Sequence, residues 1–231
     1  MNASAGQRAR PSVLLFDFGG TLDADGIPWK ERFSRLWREE VGEVAPEVFD
    51  RAFYDADDAL VGALPAETEL GETVRRVARG LAEKLLPKGD AGAAGRIATR
   101  FLSDATAHLS ASAALLKRLA GRYRLGIVSN FYGNLAQVCR DAALAPHLSV
   151  AIDSARIGFR KPDARIFEAA LEELATPPAQ ALFVGDSLPR DMAGARDIGM
   201  PHVWLSAGEG RACCAADPVI RRLSELEEIL A

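Results

Sequence analysis

The chain is predicted to be an α/β protein: a parallel sheet covered by helices on both faces, with an all-helical insert after its first strand. Three observations carry this. Val13–Phe16 is a short continuous apolar run closed by Asp17, Gly19 and Gly20, the pattern of a fully buried strand. From Trp29 to about Leu109 strand-like runs vanish, and apolar residues recur at three- and four-residue steps, as at Phe33, Leu36, Trp37 and Val41. From Ser112 onward helix and strand patterns alternate, which calls for a parallel sheet with both faces covered.

Taken in order, Ser12–Phe16 is the first strand. Beyond Trp29, further helical stretches fall near Glu47–Val61, Thr68–Leu86 and Ala93–His108, with Pro46, Pro65 and Pro87 between them, where helices begin or end. Ser112–Ala120 reads as a helix, Arg124–Ser129 as a strand, Asn134–Ala143 as a helix and Ser149–Asp153 as a short strand. Pro162–Leu174 reads as a helix with proline in its first turn, Ala181–Val184 as a strand, and Pro189–Ile198 as a helix closed by Gly199. His202–Leu205 and Pro218–Ile220 are strands, and Ser224–Leu230 is a last helix.

A hydrophobic content of 48% with 26% charged residues fits a globular protein with a substantial core. The net charge of -4 gives no case for nucleic acid or an anionic membrane surface. The cysteines, Cys139, Cys213 and Cys214, are odd in number and lack disulfide or zinc spacing, so a reducing cytoplasm is expected. The first ten residues lack the apolar core of a signal peptide, and no apolar run approaches the roughly 18 residues of a membrane span.

Four polar constellations lie just past predicted strands: Asp17 with Gly19, Gly20 and Thr21; Ser129-Asn130; Lys161-Pro162; and Gly185-Asp186-Ser187-Leu188-Pro189-Arg190-Asp191. Polar groups at the carboxyl ends of separate parallel strands converge on one cleft. Asp17, Asp186 and Asp191 are hard oxygen donors that suit Mg²⁺. Ser129, Asn130 and Lys161 suit a phosphoryl group, and a carboxylate can act as the nucleophile. Taken alone, the Val13–Leu22 stretch is equally a buried strand with a solvated turn aspartate.

The four motifs, in this order and context, resemble those of the haloacid dehalogenase superfamily, most of whose members are Mg²⁺-dependent phosphatases. The resemblance implies a three-layer Rossmann-like core over residues 1–24 and 110–231, and a small helical cap over 25–109. It implies Asp17 as nucleophile, and Asp17, the Gly19 carbonyl, Asp186 and Asp191 as the Mg²⁺ site. Gly20, Thr21, Ser129 and Asn130 would hold phosphate, and Lys161 would neutralise both nucleophile and phosphate. The expected partner is a small phosphorylated substrate, and the expected protein a monomer or homodimer.

One position departs from the family pattern. Family phosphatases commonly carry a second aspartate two residues after the nucleophile, as general acid and base. Here that residue is Gly19. Losing a general acid typically forfeits ~10²–10⁴ in rate. Asp23 and Asp25 lie nearby but read as solvated turn acids. Three alternatives remain open: a metal-independent dehalogenase, a phosphonate hydrolase using Lys30 as its cap lysine, and a non-catalytic phospholigand-binding protein. His108, His147 and His202 lack partner spacing. Trp29, Phe33 and Trp37 read as cap core or as its seam with the sheet. The linker into the cap, with Trp29 and Lys30, borders the cleft in this reading.

Overall fold

The computed structural model describes residues 10–86, 91–208 and 217–231. Its centre is a six-stranded parallel sheet in the order β3-β2-β1-β4-β5-β6. The strands are β1 (Val13–Phe16), β2 (Arg124–Ser129), β3 (Val150–Asp153), β4 (Ala181–Gly185), β5 (His202–Leu205) and β6 (Val219–Ile220). β1 lies between β2 and β4, with Phe16 beside both Ile127 and Val184. Side chains alternate across a strand. Val13 and Leu15 therefore join a cluster with Ile166, Phe167 and Phe183, while Leu14 and Phe16 join a second one with Leu125, Val138 and Leu226. A strand packed on both faces has no polar side to show, which is why β1 is an unbroken apolar run.

The helices are α1 (Trp29–Glu40), α2 (Pro46–Asp58), α3 (Leu70–Leu85), α4 (Ala91–Leu119), α5 (Leu135–Asp141), α6 (Ser154–Ile157), α7 (Ala164–Glu173), α8 (Ala193–Asp197) and α9 (Leu226–Ile229). The first four form the helical insert between β1 and β2. No described helix is long and apolar enough to cross a membrane.

Two expectations change. The helices expected at Ala93–His108 and Ser112–Ala120 are one, α4, so the expected boundary at 109/110 falls inside a continuous helix. Ser112 is not a cap there. It is buried, and its Oγ donates to the Leu22 carbonyl at 2.7 Å, tying α4 to the turn after β1. Pro162 lies outside α7, which starts at Ala164 because the Asp163 side chain accepts from the Arg165 N–H at 3.0 Å. Cys139 is a free buried thiol, pushed up to about 12 by burial, and so a poor nucleophile. Cys213 and Cys214 lie outside the described residues.

Candidate active site

Asp17 leaves β1 at its carboxyl end and is 8% exposed. Its Oδ1 accepts from the Phe18 N–H and from Ser129 Oγ and pairs with Lys161 Nζ, each at 2.7 Å. None of these donors reaches Oδ2. Lys161 precedes α7, is buried, and also lies 2.7 Å from Asp191 Oδ1. Burial works against the Lys161 charge, but Asp17 and Asp191 together more than offset it and raise the ammonium above its ordinary range. Asp191 is fully buried in the turn before α8, where its Oδ2 accepts from the Ser187 N–H at 2.9 Å. Asp186 follows β4 and accepts from Thr21 Oγ1 at 3.1 Å.

One carboxylate oxygen from each of Asp17, Asp186 and Asp191 lies within 4.8 Å of the others. Burial, then Asp191 and Asp17, push the Asp186 carboxyl well above the usual carboxylate range. Burial raises Asp191 too, against the pull of Lys161. Three carboxylates against one ammonium leave a surplus of negative charge, and all-oxygen donors suit a small hard cation. The backbone makes room for this crowding. Gly20 has φ +91°, and a Cβ there would lie 2.6 Å from Asp186 Oδ2. The cluster can therefore hold a metal.

The structure brings Asp17, Ser129, Lys161, Asp186 and Asp191 together, but uses other expected residues differently. The Gly20 N–H donates to Asp23 Oδ1 at 2.7 Å, so it is not free to cradle phosphate. Thr21 Oγ1 is given to Asp186. The Asn130 amide accepts from the Lys161 N–H at 2.7 Å and donates to the Lys161 carbonyl at 3.1 Å. Its side chain thus fixes the Lys161 backbone, and an Asn is needed there because it can both accept and donate.

Asp23 corrects the expectation of a solvated turn acid. It is 0% exposed, and its Oδ2 accepts from Trp29 Nε1 at 2.7 Å and from Arg32 at 2.8 Å. Burial pushes its carboxyl up, opposed mainly by the Arg32 guanidinium. A signal for this existed. Trp29, Arg32, Phe33 and Leu36 share one helical face, and an arginine on an apolar face demands a buried acid partner. Asp25 is half-buried and accepts from the Leu223 N–H at 3.0 Å.

A cavity of about 300 Å³ opens on Asp17, Ser129 and Lys161 from the sheet side, and on Trp29, Lys30, Phe53 and Asp57 from the insert. Arg190, which lay in the fourth motif without a role of its own, and Tyr132, which was not picked from sequence, also line it. At Gly19 a Cβ would lie 3.3 Å from Trp29 Nε1. Gly19 itself has ordinary angles, φ −76° and ψ 116°, so the indole and not the backbone crowds a side chain there. Gly19→Asp is therefore expected to displace Trp29 from Asp23 and cost about 1–3 kcal/mol, measured by urea unfolding. An undiminished midpoint would mean that the indole moves freely.

A parallel sheet with a helical insert after β1 and three carboxylates meeting at its carboxyl edge defines a recognisable class of hydrolase. The family model of haloacid dehalogenase-like hydrolases matches residues 11–199, and the chain belongs to that family. It is 40% identical over 85 residues to haloacid dehalogenase-like hydrolase domain-containing protein 3 of Bos taurus, covering 37% of this chain and 34% of that protein. The chain thus spans about a third of that relative's length. It is 29% identical over 219 residues to the phosphoserine phosphatase of Thermus thermophilus, covering 90% of this chain and 78% of that one. Among solved structures, a dehalogenase with an intermediate complex aligns with a TM-score of 0.66 at 20% identity, over 96% of this chain and 98% of that one. The magnesium-bound HAD-hydrolase YfnB of Bacillus subtilis aligns with a TM-score of 0.57 at 20% identity, over 96% and 99%. At such identities the structures speak for the fold.

Proposed function

We propose that the protein is a Mg²⁺-dependent phosphatase acting on a small phosphorylated metabolite, with Asp17 Oδ2 as its nucleophile. The asymmetry of Asp17 carries this reading: Oδ1 is held by three donors while Oδ2 takes none of them. Such a carboxylate is fixed in direction with one oxygen left to attack. Attack on phosphorus forms an aspartyl-phosphate, which water then hydrolyses. Lys161 offsets the charge of the incoming phosphoryl group, and Asn130 keeps Lys161 in place. Arg190, on the cavity wall, spends only its Nε on a described residue, Ser187 Oγ, leaving terminal N–H groups for an anionic substrate. Asp17, Asp186, Asp191 and the Gly19 carbonyl would hold Mg²⁺, which supplies positive charge where two anions must meet.

Residues 25–109 act as the cap over a core of 1–24 and 110–231, excluding water and reading the organic part of the substrate. A cavity of about 300 Å³ suits a small metabolite, and the Thermus thermophilus relative is named for such a substrate. A dehalogenase needs no cation, and would leave the surplus carboxylate charge at the sheet edge without a purpose. A Schiff-base phosphonate hydrolase needs a neutral amine, yet the Asp50 hydrogen bond to Lys30, 2.8 Å long, raises its ammonium above the ordinary range.

Phosphate release from p-nitrophenyl phosphate is expected to require Mg²⁺ and to stop with EDTA. Mg²⁺ at about 100-fold over its Kd should add about 2.7 kcal/mol of stability, read as a rise in Tm that Asp186→Asn removes. Metal-independent turnover, or a Tm indifferent to Mg²⁺, would remove the cation from this reading.

A further inference from the structure

Cleaving a phosphate ester leaves an alkoxide that needs a proton, and at the sheet edge Lys161 is paired with Asp17 and Asp191 while Asp186 belongs to the carboxylate cluster. Gly19 carries no acid, and the Trp29 indole crowds the position, 3.3 Å from where a Cβ would lie. Asp23 is wholly buried, with both oxygens occupied by the Gly20 N–H, Trp29 Nε1 and Arg32. Asp25 lies off the cavity wall and is held by the Leu223 N–H. Apart from Asp17, the described residues of the cavity wall include two carboxylates, Glu31 and Asp57. Glu31 is exposed. Asp57, near the end of α2, is half-buried, and Tyr132 OH donates to its Oδ1. Among the described residues no side chain donates to its Oδ2.

We propose that Asp57, supplied by the helical insert, protonates the leaving-group oxygen in place of the acid missing at Gly19, and that Tyr132 positions it. The inference rests on the phosphatase reading. As Asp17 Oδ2 forms its bond to phosphorus, the P–O bond to the organic group breaks and its electron pair stays on the ester oxygen. That oxygen takes the Asp57 proton. In the second step Asp57, now a carboxylate, removes a proton from the water that attacks the aspartyl-phosphate. Asp17 leaves as carboxylate, inorganic phosphate is released, and Asp57 is again protonated. The Tyr132–Asp57 bond joins the loop after β2 to the insert, so the acid is in place only when the insert lies over the sheet.

The surroundings suit the role. Burial raises the Asp57 carboxyl, opposed by the Tyr132 hydrogen bond, supported by Asp58, and opposed by Arg160 and Arg190. Asp17, Lys30, Glu31, Tyr54 and Lys161 are the other titratable groups among the described residues of the wall. Burial also pushes the Tyr132 phenol well up, so it remains a donor. A raised carboxyl keeps its proton to higher pH, so kcat/KM should fall as pH rises through the Asp57 titration.

The test is a series of ring-substituted phenyl phosphates with Mg²⁺. Asp57→Asn keeps an acceptor for Tyr132 OH but has no proton to give. It should lower kcat/KM on phenyl phosphate by about 10²–10⁴, lower it on p-nitrophenyl phosphate by less than about tenfold because that group leaves unaided, and abolish the alkaline limb. Tyr132→Phe removes a bond that favours the charged form, and should move that limb to higher pH. Equal losses on both esters, or no loss on either, would overturn the inference while leaving Asp17 as nucleophile. If wild type hydrolyses none of them, or Asp17→Asn still does, the phosphatase reading itself fails and this goes with it.

Discussion

Asp17→Asn is expected to lower the turnover of p-nitrophenyl phosphate by about 10⁴-fold or more while leaving the metal-free protein at least as stable as wild type. The two halves have one cause. The amide keeps an acceptor for Ser129 Oγ and the Phe18 N–H, the bonds that orient this side chain at 2.7 Å, but it has no anionic oxygen with which to attack phosphorus. It also removes one of three carboxylates clustered within 4.8 Å, whose mutual repulsion helps push Asp186 well above its ordinary range. Like charges held together for chemistry cost stability, so their removal should raise Tm in EDTA and shrink the response to Mg²⁺. Steady-state rates and thermal melts with and without Mg²⁺ measure both. A variant within tenfold of wild type would exclude Asp17 as nucleophile.

The sheet was legible because each strand is a short apolar run, and the strand tips because their polar residues follow those runs directly. Asp17, Ser129 and Asp186 converge for that reason, whereas Lys161 comes in after α6 and Asp191 from the turn beyond β4. What could not be read was how neighbouring polar groups share one another. The Gly20 N–H looked free for phosphate until Asp23 turned inward to take it. Asn130 looked like a phosphate ligand, yet its amide is spent on the Lys161 backbone. Asp57 sits beside Asp55 and Asp58 on a helical stretch, and nothing in the sequence marks it out. Only the packing of α2 over the loop after β2 brings it to Tyr132. The continuity of α4 was hidden by Ser110 and Ser112, residues that favour helix ends, because the contact of Ser112 with Leu22 is 90 residues distant in sequence.

Arg32→Met should be the most damaging change away from the reacting atoms, destabilising the protein by about 3–5 kcal/mol in urea unfolding. Arg32 and Asp23 are 1% and 0% exposed and lie 2.8 Å apart. Arg32 also reaches Asp104 at 3.1 Å and stacks 3.8 Å from the centre of the Phe101 ring. Methionine can fill much of that volume but leaves Asp23 as a buried carboxylate without its cation. Asp23 is already raised by burial, with Arg32 as the largest opposing influence. Losing the guanidinium raises it further, so the folded variant binds a proton more tightly than the unfolded chain. Stability that is present at low pH is then lost as pH rises through the folded pKa. The cost should accordingly be small in acid and largest at neutral pH and above. The double variant Asp23→Asn/Arg32→Met leaves no charge to bury, and should recover at least half of the loss, a coupling that a double-mutant cycle isolates. A pH-independent cost, or none recovered in the double variant, would place the damage in the Phe101 contact. Because Asp23 also holds the Gly20 N–H beside Asp17, the single variant should slow phosphate release even at temperatures where it remains folded.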